Sequence, residues 1–290
     1  MTLAEMQATA QKTLADFLKT MPDVPFSADD IIIEFAPREK MVERAKALCA
    51  LYVPQKTFNE SQMWELESTI SANALIGRGK SAVLVRLNSK MPKKYLRKVI
   101  FHELTHIFCV KTEMDGEHFI DIYGSGHTPD ENPKNKIYDG QLNAGYVVWS
   151  EFIAHYYALR YVNKGKYSVT HLTNDLFDLL KEVNASDIHG SKRAFAMVCS
   201  YLFSCNYTSD FIERLDTPNF LFDDNKQGGT LARKTFKDCL LKLQNNLKND
   251  KPYKISRDFI EELGAKYTMF IGANSVYLGL INPALFGSLP

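Results

Sequence analysis

The chain has 290 residues, of which 24% are charged and 45% hydrophobic, and its formal net charge is +1. This balance is typical of an ordinary globular protein and excludes a strongly basic polyanion binder, so we expect no nucleic-acid partner. A chain of this length can bury a sizeable core.

Cysteine usage and hydropathy indicate a cytoplasmic protein. The five cysteines include no CxxC pair, and their odd number leaves one unpaired, which fits a reducing compartment. The N-terminal segment lacks the apolar run of a secretory signal and predicts an amphipathic helix that ends before Pro22. No apolar run approaches the ~20 residues that a membrane-spanning helix needs, so we expect no membrane partner.

The first part of the chain predicts an α+β fold. A β-branched run at residues 31–35 predicts a buried strand, and residues 38–51 have helical spacing. Residues 69–76 and 82–87 flank the GRG sequence at 77–79, whose glycines suit a hairpin turn. We therefore predict a small antiparallel sheet.

The remainder of the chain predicts mainly helices. Pro92 allows a helix to begin, and apolar spacing continues it to about Val110. Residues 111–141 predict a long irregular connection with a possible strand at 119–123, and a second helix begins near Asn143. We predict a catalytic region at 1–165 and a helical C-terminal lobe at 166–290. Later helical patterns cover residues 176–183, 192–203, 209–215, 231–247 and 257–263.

The sequence FHELTHIF contains a candidate metal motif. His102 and His106 are four residues apart, so on a helix their rings lie on one face and can share an ion. Glu103 lies about 100° around the helix and can act as a general base on a water activated by zinc. Chance gives HExxH on the order of one time in a hundred in such a chain. We therefore predict zinc at His102 and His106.

A catalytic zinc needs a third protein ligand, and Glu151 is our candidate. It lies in a strongly apolar helical pattern, where an uncompensated carboxylate would be costly. Zinc ligation would remove this cost, although bonding to Arg160 or to backbone groups would also do so. His118 and His127, in the connection after the motif, are alternative third ligands.

The residues His102, Glu103, His106 and Glu151 resemble the pattern of the zincin metallopeptidases, and more narrowly of the gluzincins. The resemblance covers about residues 81–160. It implies a zincin-like core, zinc bound by both histidines and Glu151, Glu103 as general base, and a peptide or protein substrate. It also implies that the strand near residues 82–87 is the substrate-binding edge.

Other zincin features differ or stay open. The HExxHxxGxxH pattern fails because Cys109 and Thr112 occupy its Gly and third His positions. His155 stands where many thermolysin-like members have Asp; it shares the helical face of Glu151, so we name it a second catalytic candidate that orients a ligand or stabilises an oxyanion. Further possible oxyanion donors are Tyr156, Tyr157, Tyr207 and His189.

These patterns predict a cytoplasmic zinc metallopeptidase that hydrolyses a peptide bond. One alternative is a non-catalytic regulatory or binding protein that retains the zincin scaffold, but an intact Glu103 argues against it. A second alternative is a metal-free helical interaction protein with a chance motif, which a metal assay would identify.

Overall fold

The chain divides into two compact units in the computed structural model. Among the described residues, the first unit contains 1–114 and 160–162, and the second contains 133–159 and 163–280. The predicted boundary near residue 165 lies outside the described residues and stays a prediction. The structure describes residues 1–54, 56–68, 70–114, 133–163, 179–184, 186–204 and 208–280.

The first unit combines a small sheet with helices, as the α+β prediction requires. Helix α1 bears out the predicted amphipathic N-terminal helix, and α4 bears out the motif helix that follows Pro92. The elements are α1 (Leu3–Thr20), β1 (Ile31–Ala36), α2 (Met41–Tyr52), α3 (Glu60–Ser68), β2 (Ala72–Leu75), β3 (Ser81–Arg86) and α4 (Lys93–Cys109).

The sheet is mixed rather than antiparallel. Its strand order is β1-β3-β2; β2 and β3 form the predicted antiparallel hairpin, whereas β1 pairs with β3 in parallel. The predicted antiparallel pair is confirmed, but the prediction of an antiparallel sheet was wrong, because β1 adds a parallel pair. The long connection from β1 to β3 makes a parallel crossover possible, a pairing that local turn signals do not reveal.

Strand β3 is the central strand of this sheet. Its first five residues are buried, and β1 and β2 pair with it along its two sides. The expectation that residues 82–87 form a substrate-binding edge was therefore wrong, because neighbouring strands already occupy the hydrogen-bonding positions on both sides of β3.

The second unit is helical in its described part. Helix α5 begins at Pro133 instead of near Asn143, since proline suits the first turn of a helix and low-propensity residues inside it did not prevent helix formation. The predicted strand at 119–123 lies outside the described residues. The helices are α5 (Pro133–Asn163), α6 (Ile188–Phe203), α7 (Thr208–Arg214), α8 (Gly229–Leu247) and α9 (Arg257–Tyr277).

The last turn of α5 belongs to the first unit. Tyr161 stacks on Phe101 of α4 with ring centroids 4.4 Å apart. Its hydroxyl donates to Asp16 Oδ2 at 2.7 Å and accepts from Arg97 Nη2 at 2.7 Å. Phe101 in turn packs on Phe17 of α1. These contacts anchor the end of α5 against α4 and α1.

Helices α5 and α9 cross at two glycines. A Cβ on Gly145 would lie 2.0 Å from Ile260 O, and one on Gly264 would lie 1.9 Å from Gln141 O. Only glycine allows the two backbones to approach so closely. This explains why α9 continues past Leu263, where the sequence had predicted its end: Gly264 is a contact residue within the helix. No helix in the described ranges is long and apolar enough to cross a lipid bilayer.

We expect Gly145→Ala to destabilise the second unit, because the added methyl would overlap the backbone of α9. Overpacking of this kind typically costs about 1–3 kcal/mol, and backbone atoms cannot move aside as side chains can. Chemical or thermal unfolding followed by circular dichroism would measure the loss.

Gly140→Ala is the matched control on the same helix. Its Cβ would meet nothing within 4 Å, so the higher helix propensity of alanine should stabilise the protein by roughly 0.5–1 kcal/mol. If Gly145→Ala and Gly140→Ala changed the free energy of unfolding equally, the close approach of α5 and α9 at Gly145 would be contradicted.

Candidate metal centre

The two motif histidines lie together on one face of α4. His102 Nε2 and His106 Nε2 are 3.1 Å apart, and the two ring planes stand at 85° to each other. Both side chains are half-buried, whereas Phe101, Leu104 and Ile107 on the same helix are buried in the core. Both imidazoles therefore extend from the same face of α4, with their Nε2 atoms close together.

Glu103 lies between these histidines in sequence and is buried, with 9% of its surface exposed. Burial lowers the pKa of the Lys56 ammonium, while the nearby Cys49 and Glu103 raise it. Lys56 therefore interacts electrostatically with Glu103.

Glu151 and His155 lie one turn apart on α5. The side chain of Glu151 is 18% exposed; its Oε2 is 3.8 Å from His155 Nε2, and its Oε1 is 3.7 Å from Arg193 Nε on α6. Glu151 therefore lies within ion-pair distance of Arg193, a residue that the sequence did not suggest as its partner. Each carboxylate oxygen faces a nitrogen of another side chain.

His102, His106 and Glu151 form a candidate metal-binding group. One ring nitrogen of each histidine and one carboxylate oxygen of Glu151 all lie within 4.8 Å of one another. Among the residues that the structure describes, this is the one group of three or more His, Cys, Asp and Glu side chains that can hold a metal ion. The three predicted ligands are therefore neighbours.

The donor set and its spacing fit zinc. Zinc–nitrogen bonds of about 2.0–2.1 Å at a tetrahedral angle place two ligand nitrogens roughly 3.3 Å apart. The observed 3.1 Å between the two Nε2 atoms is close to this value. The same distance also fits a hydrogen bond from one neutral imidazole to the other, so only metal binding distinguishes the two interpretations.

The chain continues from the motif helix into a wider helical turn. Residues Val110–Met114 form a π-helical turn, in which Thr112 Oγ1 donates to Phe108 O at 2.9 Å. Lys111 Nζ donates to Gly79 O in the β2–β3 connection. The hydroxyl of Thr112 is therefore bound to the backbone of its own helix, and Cys109 beside it is buried.

Some of the other residues that the sequence suggested as ligands or oxyanion donors lie in the described part of the chain, and some lie outside it. Tyr156 and Tyr157 lie on α5, where Tyr156 is buried and Tyr157 half-buried. His189 lies in the first turn of α6. The candidates that lie outside the described residues are His118, His127 and Tyr207.

Two cations, Arg193 and Lys56, were not predicted from the sequence as members of the site. Arg193 has no acidic residue three or four positions away on its own helix, which is a weak signal that its partner lies elsewhere. Lys56 lies between α2 and α3, where no periodic pattern relates it to Glu103. Both assignments depend on contacts between segments distant in sequence.

Comparisons of this chain with protein-family models, with curated proteins and with solved structures found no match.

We expect the purified protein to bind one zinc ion, and His102→Ala or His106→Ala to weaken binding by about 100-fold or more, because each removes one of three protein ligands. Glu151→Ala should also lose zinc to a chelator well before the wild type does. Elemental analysis and chelator competition would measure these effects.

Glu262→Ala is a suitable control, because it removes an exposed carboxylate that pairs with Lys242. Wild-type zinc content in the His102→Ala, His106→Ala double variant would contradict the site. If Glu151→Ala binds zinc with the affinity of the wild type, the third ligand is instead another residue, such as His118 or His127.

Proposed function

We propose that this chain is a zinc-dependent metallopeptidase of the zincin type, with His102, His106 and Glu151 as ligands and Glu103 as general base. The observation that carries the proposal is the convergence of the three ligand atoms within 4.8 Å, two of them from an HExxH motif on one helix. A chance motif in a core helix gives no reason for a carboxylate from a second helix to lie beside both imidazoles.

The residues of the chain have separate roles in this proposal. Zinc, when bound there, would supply a Lewis acid that lowers the pKa of a water ligand towards about 7. The carboxylate of Glu103 would accept a proton from the attacking water and pass it to the leaving amine. Burial of Glu103 limits the positions that its carboxylate can adopt, which favours this transfer.

His155 would act through Glu151 or on the substrate. Its Nε2 lies 3.8 Å from Glu151 Oε2, so a small rotation would allow a hydrogen bond that orients the carboxylate. A position beside a ligand also suits a donor to the oxygen on which negative charge develops. We therefore propose that His155 orients Glu151 or donates to the developing oxyanion.

The peptide substrate would lie along β2. Because β3 is central, the edges of the described sheet are β1 and β2, and of these β2 packs on α4. An extended peptide can add to an exposed edge through main-chain hydrogen bonds. The substrate-binding strand that the resemblance implies is therefore reassigned from β3 to β2.

We expect Glu103→Gln to keep the fold and the zinc but to abolish hydrolysis. Glutamine preserves the size of the side chain but cannot accept a proton at neutral pH, and loss of a general base typically costs ~10²- to 10⁴-fold in rate. Cleavage of a peptide library, followed by mass spectrometry, would compare the variant with the wild type at equal zinc content.

The control variant is Glu262→Gln, which makes the same chemical change at an exposed carboxylate and should cleave as the wild type does. Cleavage must also stop when a chelator removes the metal. Equal rates for Glu103→Gln and the wild type would refute the assignment of the base. If the zinc-loaded wild type cleaves no peptide, the regulatory alternative replaces the enzyme.

A further inference from the structure

We infer that Arg193 is a positioning residue that holds the carboxylate of Glu151 for the metal and thereby sets the metal affinity of the site. The inference rests on the proposed function, since it assumes that Glu151 is a ligand. Arg193 was not a candidate in the sequence, and its contact with Glu151 joins α6 to α5.

The geometry places the guanidinium at one oxygen of the carboxylate. Arg193 Nε lies 3.7 Å from Glu151 Oε1, while Oε2 of the same carboxylate is 3.8 Å from His155 Nε2. A carboxylate that binds zinc through one oxygen leaves the other for a donor in the protein, and such donors orient the ligand. Arg193 carries its positive charge at every physiological pH.

Helix α6 is fixed against α5 on both sides of this pair. Lys192 Nζ donates to Asn143 Oδ1 at 3.1 Å, and Ser200 Oγ donates to Phe152 O at 2.9 Å. Lys192 is 7% exposed and Ser200 is fully buried, so these tethers are shielded from water. The segment of α6 that carries Arg193 is thus tied to α5, even though the Arg193 side chain is half-exposed.

Two effects of Arg193 on zinc have opposite signs. The guanidinium repels the cation, but solvent screens a side chain that is 49% exposed. It also restricts the carboxylate to an orientation suited to ligation, and loss of such partners typically costs 10- to 100-fold in metal affinity. We expect orientation to dominate, because the tethers of α6 fix the position of the arginine.

The test compares Arg193→Gln, Arg193→Lys and Arg257→Gln in the full chain by zinc competition with a chelator and by the absorption spectrum of bound Co²⁺. Arg257→Gln is the matched control: it removes an Arg Nε–Glu Oε1 pair from the same unit, with Arg257 48% exposed. Arg193→Gln should bind zinc about 10-fold more weakly and change the Co²⁺ spectrum. Arg193→Lys should recover part of the affinity, because it retains the charge.

The outcomes separate this inference from the proposed function. If the wild type binds neither zinc nor Co²⁺ through His102 and His106, both fail. A second outcome is that the wild type binds zinc and Arg193→Gln has the same zinc affinity and the same Co²⁺ spectrum as the wild type, or binds zinc more tightly. The positioning role would then be refuted, and the zinc site would stand. Equal weakening by Arg257→Gln would also refute it, since any lost ion pair of the unit would then suffice.

Discussion

A single continuous helix fixes the position of the carboxylate in the proposed site. Helix α5 runs from Pro133 to Asn163, and its last turn is anchored through Tyr161 to α4 and α1. Gly145, farther towards its N-terminus, allows contact with the backbone of α9. A helix rises about 1.5 Å per residue, so Glu151 lies roughly 15 Å along the axis from Tyr161. Within the second unit, Glu151 therefore lies on a helix rather than on a loop, and helices position metal ligands more precisely than loops do.

The distribution of burial along α4 explains why the histidines are available. Phe101, Leu104 and Ile107 contribute to the core and hold the helix in place. The imidazoles lie on the less buried face, close enough that each constrains the ring of the other. Packing of α4 therefore directs both imidazoles to the same face of the helix.

Local patterns predicted part of this structure, and non-local contacts determined the rest. Apolar spacing predicted α4 nearly to the residue, and the glycines at 77–79 predicted the β2–β3 hairpin. The parallel pairing of β1 depends on a strand some 50 residues away, which no local signal encodes. The same holds for Gly264, which resembles a helix breaker in the sequence but is a contact residue where two helices cross. The pairing of Arg193 with Glu151 also depends on a non-local contact, because Glu151 lies on another helix.

Each carboxylate of the proposed site has a cation in its own unit. Lys56 lies within electrostatic reach of Glu103, and Arg193 lies beside Glu151. Each cation offsets part of the negative charge of its carboxylate, and solvent screens the half-exposed Arg193. In the proposed function, a zinc ion bound beside these pairs would keep more of its positive charge for the oxygen on which negative charge develops. The two cations that the sequence did not predict therefore bear on the proposed chemistry, because each would limit how far its carboxylate neutralises the ion.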